Sequence, residues 1–567
     1  MALPTWFANT MTRLENRQSR RARRRPAALR RTPAEPSLEK LEDRLLLSGF
    51  GPEDGAYIVE PWLGVYQDVK IQPGDQKIVA TGSKTDGTGL PVARYDSMGN
   101  ADMTYGSAGL ANPLGTNSGY ALGLVLQPDG KAVVTGNVSN NNAILVARLN
   151  ANGSPDSGFG SGGWSSFDVQ PGWDAARGVG LQSSGKIVVS GNVGSLPYSA
   201  FVARFKANGA IDSGKGGFGK VVQGKATGAT VSTFGSDSNS FSALAIQSDD
   251  KLVAAGCSYN PVSDTSKVLV ARYTASGALD TTFNGSGYSA FSPPEFTSAG
   301  VWAIALQSDG KIVTAGQAGA DMMVTRYNAN GTLDTGFGGG SGYVLLDIDG
   351  AATSTAESGR DLVIQPDGKI VVAGYVFTHG VGPHNVLVAR LNTNGSLDAS
   401  FGTGGFKIGA SPAGHDFHGY AVSLQSNGNI IVAGQDYEGG TVGTVKPLLM
   451  RFSGSSASPL QAASTAPVSA TLARAPSAPL VSVATAESRL AAPSATVVLP
   501  PLASGVAVVG TSRPTKRLAT GQPNLAMGTT VSPPILDVTS AVDRIFAEDD
   551  LLSSLLATDL LGFMNFK

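Results

Sequence analysis

The four histidines of this 567-residue chain, His379, His384, His415 and His418, all fall within one stretch near the end of a repeated region. Imidazole nitrogens suit zinc, copper or nickel, and Asp416 stands among them as a carboxylate ligand, so these five residues are the candidate metal set. Their spacing is that of loops, with no His-Glu-x-x-His signature, and clustering of exposed loop residues is the plainer reading. No other cofactor is implied. The stretch LDIDG places Asp347 and Asp349 at alternate positions before a glycine, but it lacks the third acidic position and the distant Glu of a calcium loop, and it reads as a turn.

For hydrolysis, carboxylates such as Asp174, Asp361 and Asp416 stand near the starts of the repeated units, and a glycosidase-like or lactonase-like site could be assembled from such single residues. Trp62, Trp173 and Trp302 could serve as sugar-stacking platforms or as packing wedges. No nucleophile elbow, phosphate-binding loop, Cys/His pair or carboxylate dyad stands on a recognisable frame. The single cysteine, Cys257, lies in an apolar run and reads as a core residue; one cysteine makes neither an intrachain disulfide nor a thiolate metal cluster.

A repeated frame must position these residues. Glycine at 73 residues and a charged fraction of only 15% favour a turn-rich β protein. The phrase IQPGDQKIVATG at 71–82 returns at 126, 181, 246, 306, 364 and 424, as in LQSDGKIVTAG and IQPDGKIVVAG, giving seven copies 55 to 65 residues apart. Each is two apolar runs joined by residues that favour tight turns, which is the pattern of a β-hairpin. A third run such as LVARLNANG follows, and a fourth comes after Leu-Asp and a Phe-Gly turn, as in LDTGFGGGSGYVLLD. Four-stranded units of this kind hide their faces by stacking, and seven of them suit a closed ring. The expected fold is therefore all-β: a seven-bladed β-propeller of four-stranded blades.

The seventh unit ends at LLMRFSG without its Phe-Gly portion, whereas residues 47–59 carry that portion alone. The N-terminal segment is thus expected to supply the fourth strand of blade seven and to close the ring edge to edge. An Arg recurs at one phase in all seven units, from Arg94 to Arg451, and an Asp follows eight residues later in six of them. A residue repeated in every blade does a blade's job, so structural pairing is expected rather than a ring of ligand-facing arginines.

The phrase IQPDGKIVVAGY with VLVARLNTNGSLDASFGTGG, residues 364–404, resembles the delta-60 repeat of bacterial surface and secreted proteins, and the resemblance extends over residues 47–455. It implies a scaffold with no shared catalytic motif. SLEKLEDRLLLSG at 37–49 resembles the Leu-Glu-Pro-Arg, Leu-Leu-Ser motif near the N-terminus of many planctomycete exported proteins, with Asp43 in place of the proline. With the preceding arginine run it implies a long export leader over 1–46, otherwise disordered. Arginine runs also bind phosphate backbones, but no aromatic residues interleave with these and no nucleic-acid fold follows.

Residues 456–537, rich in Ala, Ser and Pro, read as a linker, and 538–567 as an acidic amphipathic helix that docks on a partner or on the propeller. No run of eighteen apolar residues marks a membrane span. Together these features predict a non-enzymatic interaction or structural scaffold, secreted or on a bacterial cell surface, with an unknown protein or polysaccharide ligand and no nucleic acid. The competing expectation is a hydrolase or lyase acting on an extracellular carbohydrate or lactone through the central funnel.

Overall fold

The computed structural model describes residues 49–454 apart from residue 116 and the segments 139–142, 349–356, 378–382 and 440–442. The basic leader, the Ala/Ser/Pro-rich linker and the amphipathic helix, together with His379 and Asp349, lie outside the described residues. Among the described residues there are seven four-stranded antiparallel sheets and one two-stranded ribbon. Each sheet is one blade of a seven-bladed β-propeller.

The first strand of each blade lies innermost. These strands are Gly64–Ile71, Gly119–Leu126, Ala175–Leu181, Ser238–Ile246, Ala299–Leu306, Glu357–Ile364 and His415–Leu424, in blades one to seven. Each touches the inner strand of the next blade, and that of blade seven touches that of blade one. The hairpin turns behave as their residues dictate. Gly310, for example, holds φ at +82°, a left-handed conformation open to glycine at no steric cost. Blade four has Asp250 there instead, at φ +62°. Its carboxylate accepts hydrogen bonds from the backbone N–H and hydroxyl of Ser183 in blade three, at 2.7 and 2.5 Å, so the strained position also ties two blades together.

Alternation along the strands sends apolar side chains to both faces of a sheet, and both faces are covered because blades stack on both sides. Phe283, Val270 and Val253 of blade four thus pack with Val301, Ile312 and Met323 of blade five in one cluster. Another joins Tyr66 and Ile78 of blade one to Ile431 and Leu449 of blade seven, and it includes Phe50 and Ile58 from the N-terminal segment. Strand Ala56–Val59 lies antiparallel to Thr444–Phe452, with Ala56 opposite Arg451 and Val59 opposite Leu448.

Two units depart from the common form. The insertion in repeat three makes a ribbon of Val221–Val222 against Lys225–Ala226 before the blade's fourth strand, Ala229–Ser232. Blade one ends in a strand of two residues, Leu110–Ala111.

The recurring arginines are framework residues. In blade four, Arg272 Nε donates to Asp280 Oδ2 at 2.8 Å, Nη1 donates to the carbonyl of Ala329 in blade five at 2.7 Å, and the guanidinium lies 4.9 Å from the centre of the Phe283 ring. Lys251, from the hairpin turn, reaches the same carboxylate at 3.6 Å. Arg94, Arg148, Arg204, Arg326 and Arg390 repeat this arrangement with Asp102, Asp156, Asp212, Asp334 and Asp398. In blade seven Arg451 has no such Asp; it stands over Phe50 and donates to the Gly51 carbonyl, so the N-terminal Phe-Gly occupies the place of the missing turn.

Burial alone would raise these six carboxyls, but hydrogen bonds and the Lys and Arg charges outweigh it and hold all six below the usual carboxylate range. A carboxyl with its folded pKa depressed stabilises the fold above its unfolded value of about 4 and loses that contribution as pH falls. The urea midpoint of the protein is therefore expected to fall steeply below about pH 4. Asp398→Asn, measured over the same range, should lower stability at neutral pH and flatten the acid limb; an unchanged limb would show that these pairs do not set acid stability.

Candidate functional site

The glycine that closes each hairpin phrase shapes the centre of the ring. In every blade a Cβ on that residue, from Gly82 in blade one to Gly434 in blade seven, would collide with a carbonyl oxygen of the inner strand. Its absence lets that strand buckle, and the register slips by one residue there in all seven blades, between Tyr66 and Asp68, for example, and between Gly419 and Ala421. The extra residue has no partner in the ladder. It is Gln67, Leu122, Arg177, Ser242, Trp302, Arg360 and Tyr420 in blades one to seven, and all seven line one cavity of about 290 Å³ on the central channel. A sevenfold repeated frame thus presents a ring of seven residues that are almost all different.

Arg360 is held by aromatic faces: its guanidinium carbon lies 4.8 Å from the Trp302 ring centre and 5.3 Å from that of Tyr420, in the flanking blades. Next to the bulge, blades one and six carry Asp68 and Asp361 where the other five have Gly or Ala. Asp68 accepts the backbone N–H of Leu124 at 2.7 Å and Asp361 that of Val422 at 2.9 Å, each binding the inner strand of the following blade. Their other oxygens accept the N–H of Val69 and Leu362, both at 2.8 Å.

Lys70 pairs with Asp68. Burial pushes the Asp361 carboxyl up to about 6, against the pull of the Lys70 ammonium, and the charge of Asp68 adds to the rise. Burial works against the Lys70 ammonium as well, but the charges of Asp68 and Asp361 prevail and raise its pKa.

Of the described carboxylates singled out from sequence, only Asp361 lines this channel. Asp174 is buried and caps a loop, accepting the N–H of Val169 at 2.8 Å and of Gly194 at 3.3 Å. Asp416 accepts the N–H of His384 at 2.8 Å. Trp302 faces the channel, whereas Trp62 packs edge-on against Tyr66 with ring centres 5.6 Å apart. Burial pushes the Cys257 thiol up to about 11, which is not the environment of an activated nucleophile.

The histidines meet in part, at the junction of blades six and seven. The rings of His384 and His418 are 4.5 Å apart, and His418 is stacked on Tyr375 at 4.6 Å. Burial, with the charges of His384 and Arg360, drives the pKa of His418 far down, leaving a neutral imidazole. His415 turns instead to Asp436, with Nδ1 2.9 Å from Oδ1. Among the described residues no three His, Cys, Asp or Glu side chains converge to hold a metal ion, and the described part of the candidate set, His384, His415, His418 and Asp416, forms no such group. The bulge ring itself escaped sequence reasoning, although the seven identically phased glycines were a visible signal for it.

The family described as "Domain of unknown function (DUF5122) beta-propeller" matches residues 127–159, 182–214, 247–283, 307–337 and 365–401, in blades two to six. No curated protein matches the chain. Among solved structures, a protein of unknown function from Dyadobacter fermentans aligns at 10% identity and a TM-score of 0.34, over 71% of this chain and 100% of its own. The β-propeller domain of the trilobed protease from Pyrococcus furiosus aligns at 10% identity and 0.34, over 68% of this chain and 97% of its own. The acylaminoacyl peptidase of Pyrococcus horikoshii aligns at 9% and 0.32, over 67% and 52%. On its own topology and the repeats that this family matches, the chain is a β-propeller protein.

Proposed function

We propose that this protein is a non-enzymatic interaction module of the delta-60 type, exported to the bacterial surface or beyond, and that the bulge ring in its channel is where it reads a ligand. The division of labour between repeated and unrepeated residues carries this reading. The recurring arginines, paired with Asp in six blades, join neighbouring blades, and the recurring glycines shape the bulge, whereas the bulge residue that faces the channel differs in almost every blade. A ligand on a single central axis needs such variation. The N-terminal strand acts in this reading as the latch of the ring, and the leader around SLEKLEDRLLLSG as the export address.

Asp361 favours the competing reading of a hydrolase or lyase, since a carboxyl titrating near neutrality suits acid–base work. Its two oxygens, however, both accept backbone N–H groups. One experiment separates the two. The full chain is run through native gels cast with neutral or acidic polysaccharides and, in parallel, incubated with aryl glycosides and lactones. Retardation by at least one polysaccharide, lost in Trp302→Ala, without turnover is the expected result. Turnover that disappears in Asp361→Asn would replace the module with an enzyme, and neither retardation nor turnover would remove the channel as the site.

A further inference from the structure

We propose that Asn284, in the turn before strand Tyr288–Phe291 of blade four, modifies itself: it loses ammonia through attack by the Gly285 nitrogen and becomes aspartate or isoaspartate, while the fold keeps the other five Asn-Gly pairs intact. Those five begin at Asn152, Asn208, Asn330, Asn394 and Asn427. By sequence the six are alike, since the nucleophile in each is the backbone nitrogen of a residue with no side chain to hinder it. The structure separates them.

Five are locked twice. The N–H of Gly153, Gly209, Gly331, Gly395 and Gly428 donates to the carbonyl three residues earlier, at 2.8–2.9 Å. The preceding Asn side-chain oxygen accepts the N–H of the residue after the glycine, at 3.0–3.2 Å. The first four of these glycines are also buried. Attack requires both hydrogen bonds to open and the glycine nitrogen to turn toward the side chain.

Asn284 stands where Gly106, Gly160, Gly338 and Gly402 stand in other blades, and it takes their left-handed conformation, at φ +50°, which Asn tolerates better than most residues. Its own N–H ties the turn to the Asn330 carbonyl of blade five at 2.6 Å. The N–H groups of Ser286 and Gly287 both go to the Phe283 carbonyl, at 3.2 and 2.7 Å. That of Gly285 donates to no group among the described residues; the residue is exposed, and a Cβ on it would meet nothing within 4 Å. The Asn284 amide is held only by Nδ2 donating to the Tyr288 carbonyl, at 3.1 Å.

The Gly285 nitrogen gives its proton to solvent base and bonds to Cγ of Asn284. The Cγ–Nδ2 bond breaks, and the nitrogen leaves as ammonia with a proton returned by solvent. Water then adds to one of the two carbonyls of the five-membered imide as its ring C–N bond breaks. Opening at the side-chain carbonyl gives aspartate; opening at the main-chain carbonyl gives isoaspartate and puts a methylene into the backbone of the turn that holds blade five. The sum is amide plus water to acid plus ammonia, with no change of oxidation state.

The full chain, aged at mildly alkaline pH and mapped by peptide mass spectrometry, tests this in native buffer and in urea. In the native protein Asn284 is expected to convert about tenfold or more faster than any of the other five, because each of those must first open two hydrogen bonds. In urea all six should convert at similar rates. Asn284→Gly, the residue that other blades use there, should melt like the parent and abolish the slow gain of acidic charge seen by ion exchange of the native protein. Another Asn-Gly pair converting as fast as Asn284 in the native protein would overturn the proposal. So would an acidic shift that persists in Asn284→Gly, or a preference for Asn284 that survives in urea and so belongs to local sequence rather than to the fold.

Discussion

Deletion of residues 47–60 is expected to abolish the cooperative unfolding transition of the propeller, or to leave a protein that aggregates at temperatures where the full chain stays folded and in solution. The expectation follows from what that segment covers. Ile58 and Phe50 are buried in the cluster between blades one and seven, and the Tyr57 ring meets that of Phe417 edge-on at 5.0 Å. Truncating one buried aliphatic side chain such as Ile58 to Ala costs about 2–5 kcal/mol, and the deletion removes several such groups together.

It also removes Glu60, the acceptor of the Tyr95 hydroxyl, which is itself 2.6 Å from the hydroxyl of Tyr66. Two buried phenols would then share a cavity with no carboxylate. The outer side of Leu448–Arg451 would become an open sheet edge, a template for pairing with another chain. Ile58→Ala is the milder companion: a fall in urea stability of about 2 kcal/mol or more is expected, and less than about 0.5 kcal/mol would show that this strand does not hold the ring.

The second large effect concerns the blade-to-blade clamp. Asp280→Ala leaves the guanidinium of Arg272 buried opposite an empty space, still donating to Ala329 but without its counter-charge. Removing one partner of a buried ion pair costs about 3–5 kcal/mol, whereas replacing both with apolar groups is far less damaging. The double variant Arg272→Met with Asp280→Ala should therefore be more stable than Asp280→Ala alone, because Met can fill the space over Phe283 without a charge to satisfy. A double-mutant cycle in urea measures this. If the single variant loses less than about 1 kcal/mol, the pair behaves like one on an open surface and the clamp is not a principal support.

Much of the frame is legible in the sequence alone, because its signals are local or periodic. Turn residues between two alternating runs announce a hairpin, and the spacing of Arg148 to Asp156 recurs so regularly that pairing is the economical explanation. The orphan Phe50-Gly51 could be matched to the missing part of the last unit by inspection. What escaped notice depends on relations across strands. Gly316 ends an apolar phrase and looks like a strand terminator, yet its lack of a Cβ acts on the carbonyl of Gly300, sixteen residues earlier, and so on the position of Trp302.

Asp68 and Asp361 were equally hard to weigh. Their importance lies in reaching the inner strand of the next blade, and each stands where five other units have Gly or Ala. The histidines had loop clustering as their plainer reading, and His379 lies outside the described residues. Of the other three, the backbone sends His415 toward Asp436, stacks His418 on Tyr375 and brings His384 beside His418, relations that loop placement alone does not reveal.

The bulge residue beside the partner of each of these glycines has one further implication. Since it belongs to no ladder pair, its identity is uncoupled from the folding of the blade around it. Apart from the Trp302–Arg360–Tyr420 group, whose members touch one another, these positions can change while the chassis stays intact, so on the proposed reading chains built on this same sequence period need not share a guest. On the reading proposed above, specificity would be a seven-letter word written on a repeated page, and a new word would require no new architecture.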